Sequence, residues 1–424
     1  MPEGRLELPL GKGPKVIPRR ATGGRIGPLA EAPFRRFYLA RALSLFGDAL
    51  VPVALAFGVI SVDRSPSALG FVLASRFLSL VLFLLVAGVV ADRLPRKRIL
   101  IGSDLVRLAT QAVAAALLIT GDATVGELVV LAFVYGAGEA FFRPTVTGFV
   151  PQTVSSERLQ QANALLGMTN SVWSVVGPVV AGVLVATVGP GWAIGADALT
   201  FLLSAAFLTG IGVVPGATAS GSSLLKDLAA GWRVFCSRTW LWVDGIYSAL
   251  GNFAVFAPLL ALGPIVAKRS LGGAGAWAAI VAALGLGSAL GGLALLRAKP
   301  ARPLLVGVPL LALLALPAGL LAVPAPTVAI AAGALAGGFG LSIFNTLFET
   351  TVQQQVSPDA LARVASIDWL LSLGLFPIGL ALAGPAAAAF GVRVPLIVGA
   401  AWILLSTAIV LAVPSVRQVR RPGA

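Results

Sequence analysis

The chain has no histidine, a single cysteine and few acids: 17 Asp and Glu against 31 Lys and Arg in 424 residues. With no histidine and only Cys236, zinc hydrolysis and cysteine–histidine catalysis lack their ligands and base. HExxH, GxSxG and GxxxxGK[ST] do not occur either, which argues against metalloprotease, serine-hydrolase and P-loop chemistry. A lone cysteine forms no intrachain disulfide. Charge of any sign is scarce, at 11% of residues, where a soluble domain carries roughly 25%. Polar helix faces are scarce too. The long runs are Leu, Ala, Val and Gly at every helical angle, and such segments need an apolar solvent on all sides.

What is present is enough apolar chain, 58% of residues, to cross a bilayer many times. The expected fold is an all-α polytopic membrane protein of twelve transmembrane helices in two similar six-helix halves. Spans are expected at about 37–60, 67–91, 99–119, 125–150, 162–188 and 192–214 in the first half. Those of the second fall at about 239–267, 275–296, 303–323, 327–352, 364–390 and 394–413. If the N-terminus is inside, most Lys and Arg fall in inside segments, with Arg64, Lys268, Arg269 and Arg393 outside. That asymmetry is the positive-inside rule. The net charge of +14 therefore reads as topology and headgroup contact, not a nucleic-acid footprint.

Residues 1–33 are polar, without an apolar h-region, and are expected to form a disordered cytosolic tail, not a signal peptide. The two halves, 34–214 and 239–414, flank a cytosolic linker at 215–238. The linker carries a basic amphipathic piece from Lys226 to Arg233, expected to lie on the membrane surface. A basic cytosolic tail, 415–424, follows. The halves repeat at a nearly constant offset. Gly88 and Arg98 align with Gly292 and Arg302, Gly136 and Gly138 with Gly338 and Gly340, and Gln152 and Gly177 with Gln354 and Gly379. Parallel duplicated six-span halves are a recurring plan of secondary transporters.

Against this background, Gly88-Val-Val-Ala-Asp92-Arg93-Leu-Pro-Arg96-Lys97-Arg98 resembles the signature loop between spans 2 and 3 of the major facilitator superfamily. Gly177-Pro178-Val-Val-Ala181-Gly182 in span 5 resembles the motif of that superfamily's exporters. Ser44-Leu-Phe-Gly-Asp48 and Phe142-Arg143-Pro144 are similar to the siderophore (enterobactin-type) and macrolide exporter branch. The likeness covers about residues 34 to 414.

The resemblance implies that Asp92, with Arg93, Arg96, Lys97 and Arg98, forms a gating latch that joins the halves on the cytosolic side in the outward-facing state. The alternative is a solvated turn touching headgroups. Position 296, which matches Asp92, is a leucine, so the second half lacks the acid. The exporter motif implies a kinked span 5 packed against the second half, where Pro178 removes a backbone donor and Gly177 and Gly182 allow close approach. An ordinary packing kink is the alternative.

Ionisable residues inside spans carry the most information, since each central charge costs ~2.5–3.5 kcal/mol on insertion scales. Counting helical rise, Asp48 and Glu139 sit ~16 Å above the cytosolic face, near mid-bilayer, with Arg76 at ~22 Å. Asp48, Arg76 and Glu139 are the candidates for proton coupling or substrate contact, a structural ion pair being the alternative; Asp48 can pair with Arg76, and Asp104 or Glu139 with Arg107 or Arg143. Asp104, Arg107 and Arg143 form a charge network whose structural reading leads. Asp197 is expected at the outer interface, and Asp244, Glu349 and Asp368 near the cytosolic surface. Trp173, Asn252, Phe253, Phe256 and Trp369 are candidate cavity walls, packing or interfacial anchoring being the alternative for each.

The function expected is proton-coupled efflux of amphipathic small molecules, drug- or siderophore-like, by alternating access at the plasma membrane. No cofactor is expected, the proton gradient being the driver. The expected partners are a small-molecule substrate and the bilayer, with no nucleic acid, and the protein is expected to be monomeric. A proton-coupled importer would show the same spans and first motif, and a transport-inactive sensor or an intramembrane enzyme is the alternative from another class.

Overall fold

A chain that is apolar on all sides satisfies its backbone inside a bilayer by coiling into helices, and twelve helices among the described residues are long and apolar enough to cross one. The computed structural model describes residues 27–212 and 232–421 apart from 297, 299 and 324, and side chains apart from those of 85, 88, 89, 91, 92, 358, 359 and 362. The first half contains α1 (Ala32–Val62), α2 (Pro66–Arg93), α3 (Arg96–Thr120), α4 (Val125–Thr153), α5 (Leu159–Thr187) and α6 (Pro190–Thr209). The second contains α7 (Thr239–Leu271), α8 (Ala274–Leu295), α9 (Pro303–Ala322), α10 (Thr327–Gln355), α11 (Arg363–Phe390) and α12 (Arg393–Ala412).

Helix ends follow local chemistry. Ser65 accepts from the Ala68 amide to cap α2, and a Thr124–Glu127 capping box opens α4. Gly121, at φ 84°, closes α3 in the left-handed region that favours glycine. Three spans are irregular inside. α7 passes through a π-helical turn at Asn252–Phe256, α9 through a 3₁₀ turn at Ala312–Leu314, and α11 breaks at Leu375, between a piece that ends at Gly374 and one that begins at Phe376, just before Pro377. Proline withholds the amide that would continue the ladder.

Within the first half α1 and α3 both pack on α6, and α2 and α3 on α4; within the second α8 and α9 pack on α10, and α9 on α12. The halves meet through α2 against α11 and α5 against α8. Small residues set the approach. A Cβ on Gly384 would stand 2.3 Å from Ser67 Cα, one on Gly70 2.4 Å from the Leu380 carbonyl oxygen, and one on Gly182 2.5 Å from Ala278 Cβ. Ser67, Gly182, Ala278 and Gly384 all lie near the ends of their helices at the face opposite the described chain ends. That face is sealed. Toward the other face Asn163 and Asn170 of α5 and Asn345, Glu349 and Gln353 of α10 are exposed. Polar side chains at such depth face water, not hydrocarbon, so the space between the halves opens toward the face that carries the chain ends.

The expected tail at 1–33 is too long at its inner end. Gly27–Ala30 forms a 3₁₀ turn, Phe34 is buried, and Glu31 accepts from Ser155 at 2.8 Å. Apolar packing of Phe34 against Phe37 orders that end. Of the linker, residues 215–231, including most of the proposed surface helix, lie outside the described residues. Phe235 is buried in a cluster with Trp240 and Val416, so the chain from 232 packs on the second half. Of the expected 415–424 tail, residues 415–421 are described and likewise anchored through Val416 and through the Arg420 carbonyl, which accepts from Gln355 Nε2 at 2.9 Å.

A candidate transport site between the halves

Four arginines and four carboxylates gather inside the first half. Glu139 of α4 is their hub: Oε2 accepts from Arg76 Nη2 at 2.9 Å and Nε at 3.1 Å, and Oε1 from Arg143 Nη2 at 2.6 Å and Nε at 3.1 Å. Two guanidinium forks on one carboxylate offset the cost of removing all three charges from water. Arg107 of α3 is 1% exposed and donates from Nη2 to Asp104 Oδ1 at 2.5 Å. Its guanidinium lies between the rings of Phe142 and Phe201, at 4.1 and 4.2 Å from their centroids. Ring faces supply negative quadrupole where water is absent. Ser204 donates to the other Asp104 oxygen at 2.7 Å.

Asp48 of α1 sits at the edge of this network. Tyr135 Oη donates to its Oδ1 at 2.9 Å, Arg107 Nη1 lies 3.6 Å from the same oxygen, and Arg41 Nη1 3.9 Å from Oδ2. Its side chain is 28% exposed, against 9% for Glu139 and 0% for Asp104. That exposure faces a cavity of about 520 Å³ walled by Asp48, Pro52, Asn170, Trp173 and Pro178 from the first half and Gly285 and Ser288 from the second. Asp48 thus joins a water-accessible space between the halves to a buried charge network.

The expected Asp48–Arg76 pair is not formed. Arg76 turns to Glu139 and lies over the Tyr135 ring at 4.6 Å, so Tyr135 is the link between Arg76 and Asp48. Tyr135 and Glu139, one turn apart on α4, point the same way, and that spacing was the available signal. The pairs Asp104–Arg107 and Glu139–Arg143 do form. Asp197 is not interfacial. It is fully buried, accepts from Gln111 Nε2 at 2.5 Å and presses on Gly47, because the third turn of α6 faces α1 and α3 and not the bilayer surface. Asp104, Arg107 and Gln111 share one face of α3 at i, i+3 and i+7, a pattern that marks Gln111 as a member.

The gating segment divides. The side chains of Gly88 and Asp92 lie outside the described residues. Arg96 donates to the Gly148 carbonyl at 2.5 Å and Lys97 to the Thr209 carbonyl at 2.8 Å, while Arg93 and Arg98 are exposed. In the exporter motif, Gly177 packs on Ala49 of α1 inside its own half, Gly182 on Ala278 of the other half, and Pro178 lines the cavity. Trp173 lines that cavity as well, with Asn252, Phe256 and Trp369 around a second one in the other half. Phe253 lines neither. A helical step of ~100° turns it away from Asn252, and its carbonyl packs against Gly379 of α11.

Twelve helices long and apolar enough to cross a membrane among the described residues, in two halves with a cavity between them, are the architecture of a multi-pass membrane transporter. The chain belongs to the transmembrane secretion effector family, whose model matches residues 23–420, and so to the major facilitator superfamily. Macrolide efflux protein A of Streptococcus pyogenes is 23% identical over 401 residues, 92% of this chain and 96% of that protein. Enterobactin exporter EntS of Shigella boydii serotype 18 is 27% identical over 271 residues, 61% of this chain and 62% of the exporter, less than two thirds of its length. Two solved structures share the fold. Nucleoside transporter NupG superposes with a TM-score of 0.71 at 15% identity, covering 90% of this chain and 98% of that one. A bacterial homolog to human lysosomal transporter Spinster gives 0.71 at 18% identity, covering 95% and 100%.

Proposed function

We propose that the protein is a proton-coupled exporter of amphipathic small molecules, drug- or siderophore-like, and that Asp48 is its coupling acid, with Arg76 and Glu139 behind it. The observation that carries this reading is the position of Asp48, which touches both the inter-half cavity and the buried charge network. Desolvation favours the neutral form of a carboxyl and a nearby guanidinium the charged form. A carboxyl between the two takes up and releases a proton as its distance to the cation changes between states. One proton crossing ~100 mV supplies about 2.3 kcal/mol, enough to drive uphill export of a neutral solute.

In this reading the protein acts as a monomer in the plasma membrane with both termini and the 215–238 linker cytosolic. The cavity then opens to the cytosol, where an exporter loads, and the Asp92 segment latches the halves only in the opposite state. The efflux relatives support the direction of transport.

The test is Asp48→Asn in oriented vesicles, which keeps the side-chain size and removes the proton. Proton-driven efflux should vanish while downhill substrate exchange survives. Full pH-driven efflux by the variant would end the assignment of Asp48, and substrate uptake driven by the same gradient would end the assignment of direction.

A further inference from the structure

The second half contains a cavity of about 280 Å³ with no arginine or lysine in its wall. Phe256 of α7, Phe344 and Phe348 of α10 and Trp369 of α11 supply its aromatic surface, with Phe344 and Phe348 stacked at 6.1 Å. Asp368 of α11 and Glu349 of α10 line the same space. Behind them stands Asp244 of α7, one turn from the cavity-lining Ser248 on the same helix face. Asp244 is 1% exposed and neither of its oxygens has a hydrogen-bond partner, nor has Oδ1 of Asp368. Asp368 lies near enough to Asp244 to interact with it electrostatically, and Glu349 near enough to Asp368. Among the described residues no arginine or lysine lines the space beside these acids.

A buried carboxylate without a donor is costly, and an arrangement of this kind is relieved when a cation enters. A compact metal ion does not fit, because no three carboxylates among the described residues are placed to share one. Aromatic faces beside carboxylates suit instead a bulky organic cation, whose charge meets the acids while its apolar body meets the rings.

We propose that this cavity binds the cationic head of an amphipathic organic cation, with Asp368 and Glu349 as counter-charges and Trp369, Phe256 and Phe344 flanking the head. The proposal rests on the reading above that the chain carries amphipathic small molecules, and it narrows their class to those bearing positive charge.

The test is equilibrium binding to the purified full-length protein in lipid nanodiscs, using tetraphenylphosphonium and its isosteric anion tetraphenylborate at one fixed pH and ionic strength. The cation should bind at least about tenfold more tightly than the anion. Asp368→Asn and Glu349→Gln should each weaken the cation about tenfold, with the anion unweakened. Glu349 is exposed, so its substitution leaves the fold intact and keeps the test decisive even if a change at Asp368 lowers stability. Equal binding of cation and anion, or parental cation affinity in folded Glu349→Gln and Asp368→Asn proteins, would overturn the proposal. Binding is measured without transport, so the two readings fail separately. Selective cation binding by a protein that imports would leave this site standing and remove the export reading. Efflux by a protein that does not prefer the cation would do the reverse.

Discussion

In the first half Glu139 is gripped by two guanidiniums and Arg107 by a carboxylate and two rings, whereas in the second Asp244 is buried with both oxygens bare. The two halves manage desolvated charge differently. The first half pairs Glu139 and Asp104 with guanidiniums. The second leaves Asp244 and Asp368 Oδ1 without hydrogen-bond partners, a cost that a proton or a cation arriving from the cavity would relieve. A coupling site needs the former, a pre-wired network that a proton can perturb; a cation-binding site needs the latter.

The largest effect that would sharpen this contrast is on stability. Glu139→Gln removes the negative charge shared by Arg76 and Arg143 and turns one of its two acceptor oxygens into a donor, and stranding a buried cation typically costs about 3–5 kcal/mol. Thermal unfolding of the detergent-purified variant should show a large drop, partly recovered by adding Arg76→Gln. Asp244→Asn should instead leave stability level or raise it, because no partner is stranded. Equal losses from the two substitutions would erase the distinction between the halves.

An intermediate effect concerns the seal that joins them. Gly384→Ala places a methyl 2.3 Å from Ser67 Cα, a backbone atom that cannot swing aside. The sealed face should be wedged apart, shifting the resting population toward the opposite opening by about tenfold or more. Gly374→Ala, on the same span with nothing within 4 Å of the new methyl, is the control. Spin-label pairs across the face carrying the chain ends, placed in a Cys236→Ser background, should report shorter distances for Gly384→Ala alone. Unchanged distributions would mean that glycine packing does not hold this state.

The spans and the membership of the charge network were legible in the sequence because each leaves a one-dimensional trace: apolar length, and a charge where none is expected. Rotation of each helix about its axis was not legible. A span apolar all round has no polar face to orient it, so depth along the helix could be counted while direction could not. That is why Asp48 and Arg76, at similar depth, were paired although Arg76 turns to Glu139. It is also why Phe253 was placed in the cavity and Asp197 at the surface. Asp244 shows the same limit from the other side. Its bare burial needs three helices to be seen at once.

The smallest expected effect comes from a matched pair of tyrosines. Tyr135 in the first half and Tyr247 in the second are both buried, at 3% and 2% exposure, so removing either hydroxyl is a like-for-like change. Tyr135 donates to the Asp48 carboxylate at 2.9 Å, whereas Tyr247 shares a 2.7 Å hydrogen bond with the Thr407 hydroxyl. A hydrogen bond to a charged group is worth about 1.5–3 kcal/mol and a neutral one about 0.5–1.5 kcal/mol. Both Tyr→Phe variants should therefore fold, with Tyr135→Phe somewhat the less stable in thermal unfolding. The functional readout separates them further. Tyr135→Phe cuts the link between Asp48 and Arg76 and should change how efflux varies with pH while leaving substrate exchange near the parental rate. Tyr247→Phe changes only contacts of α7 with α9 and α12 and should leave the pH profile untouched. If the two pH profiles match each other and the parent, Asp48 is not tied to the network through Tyr135, and coupling would have to pass through its neighbours Arg41 and Arg107 instead.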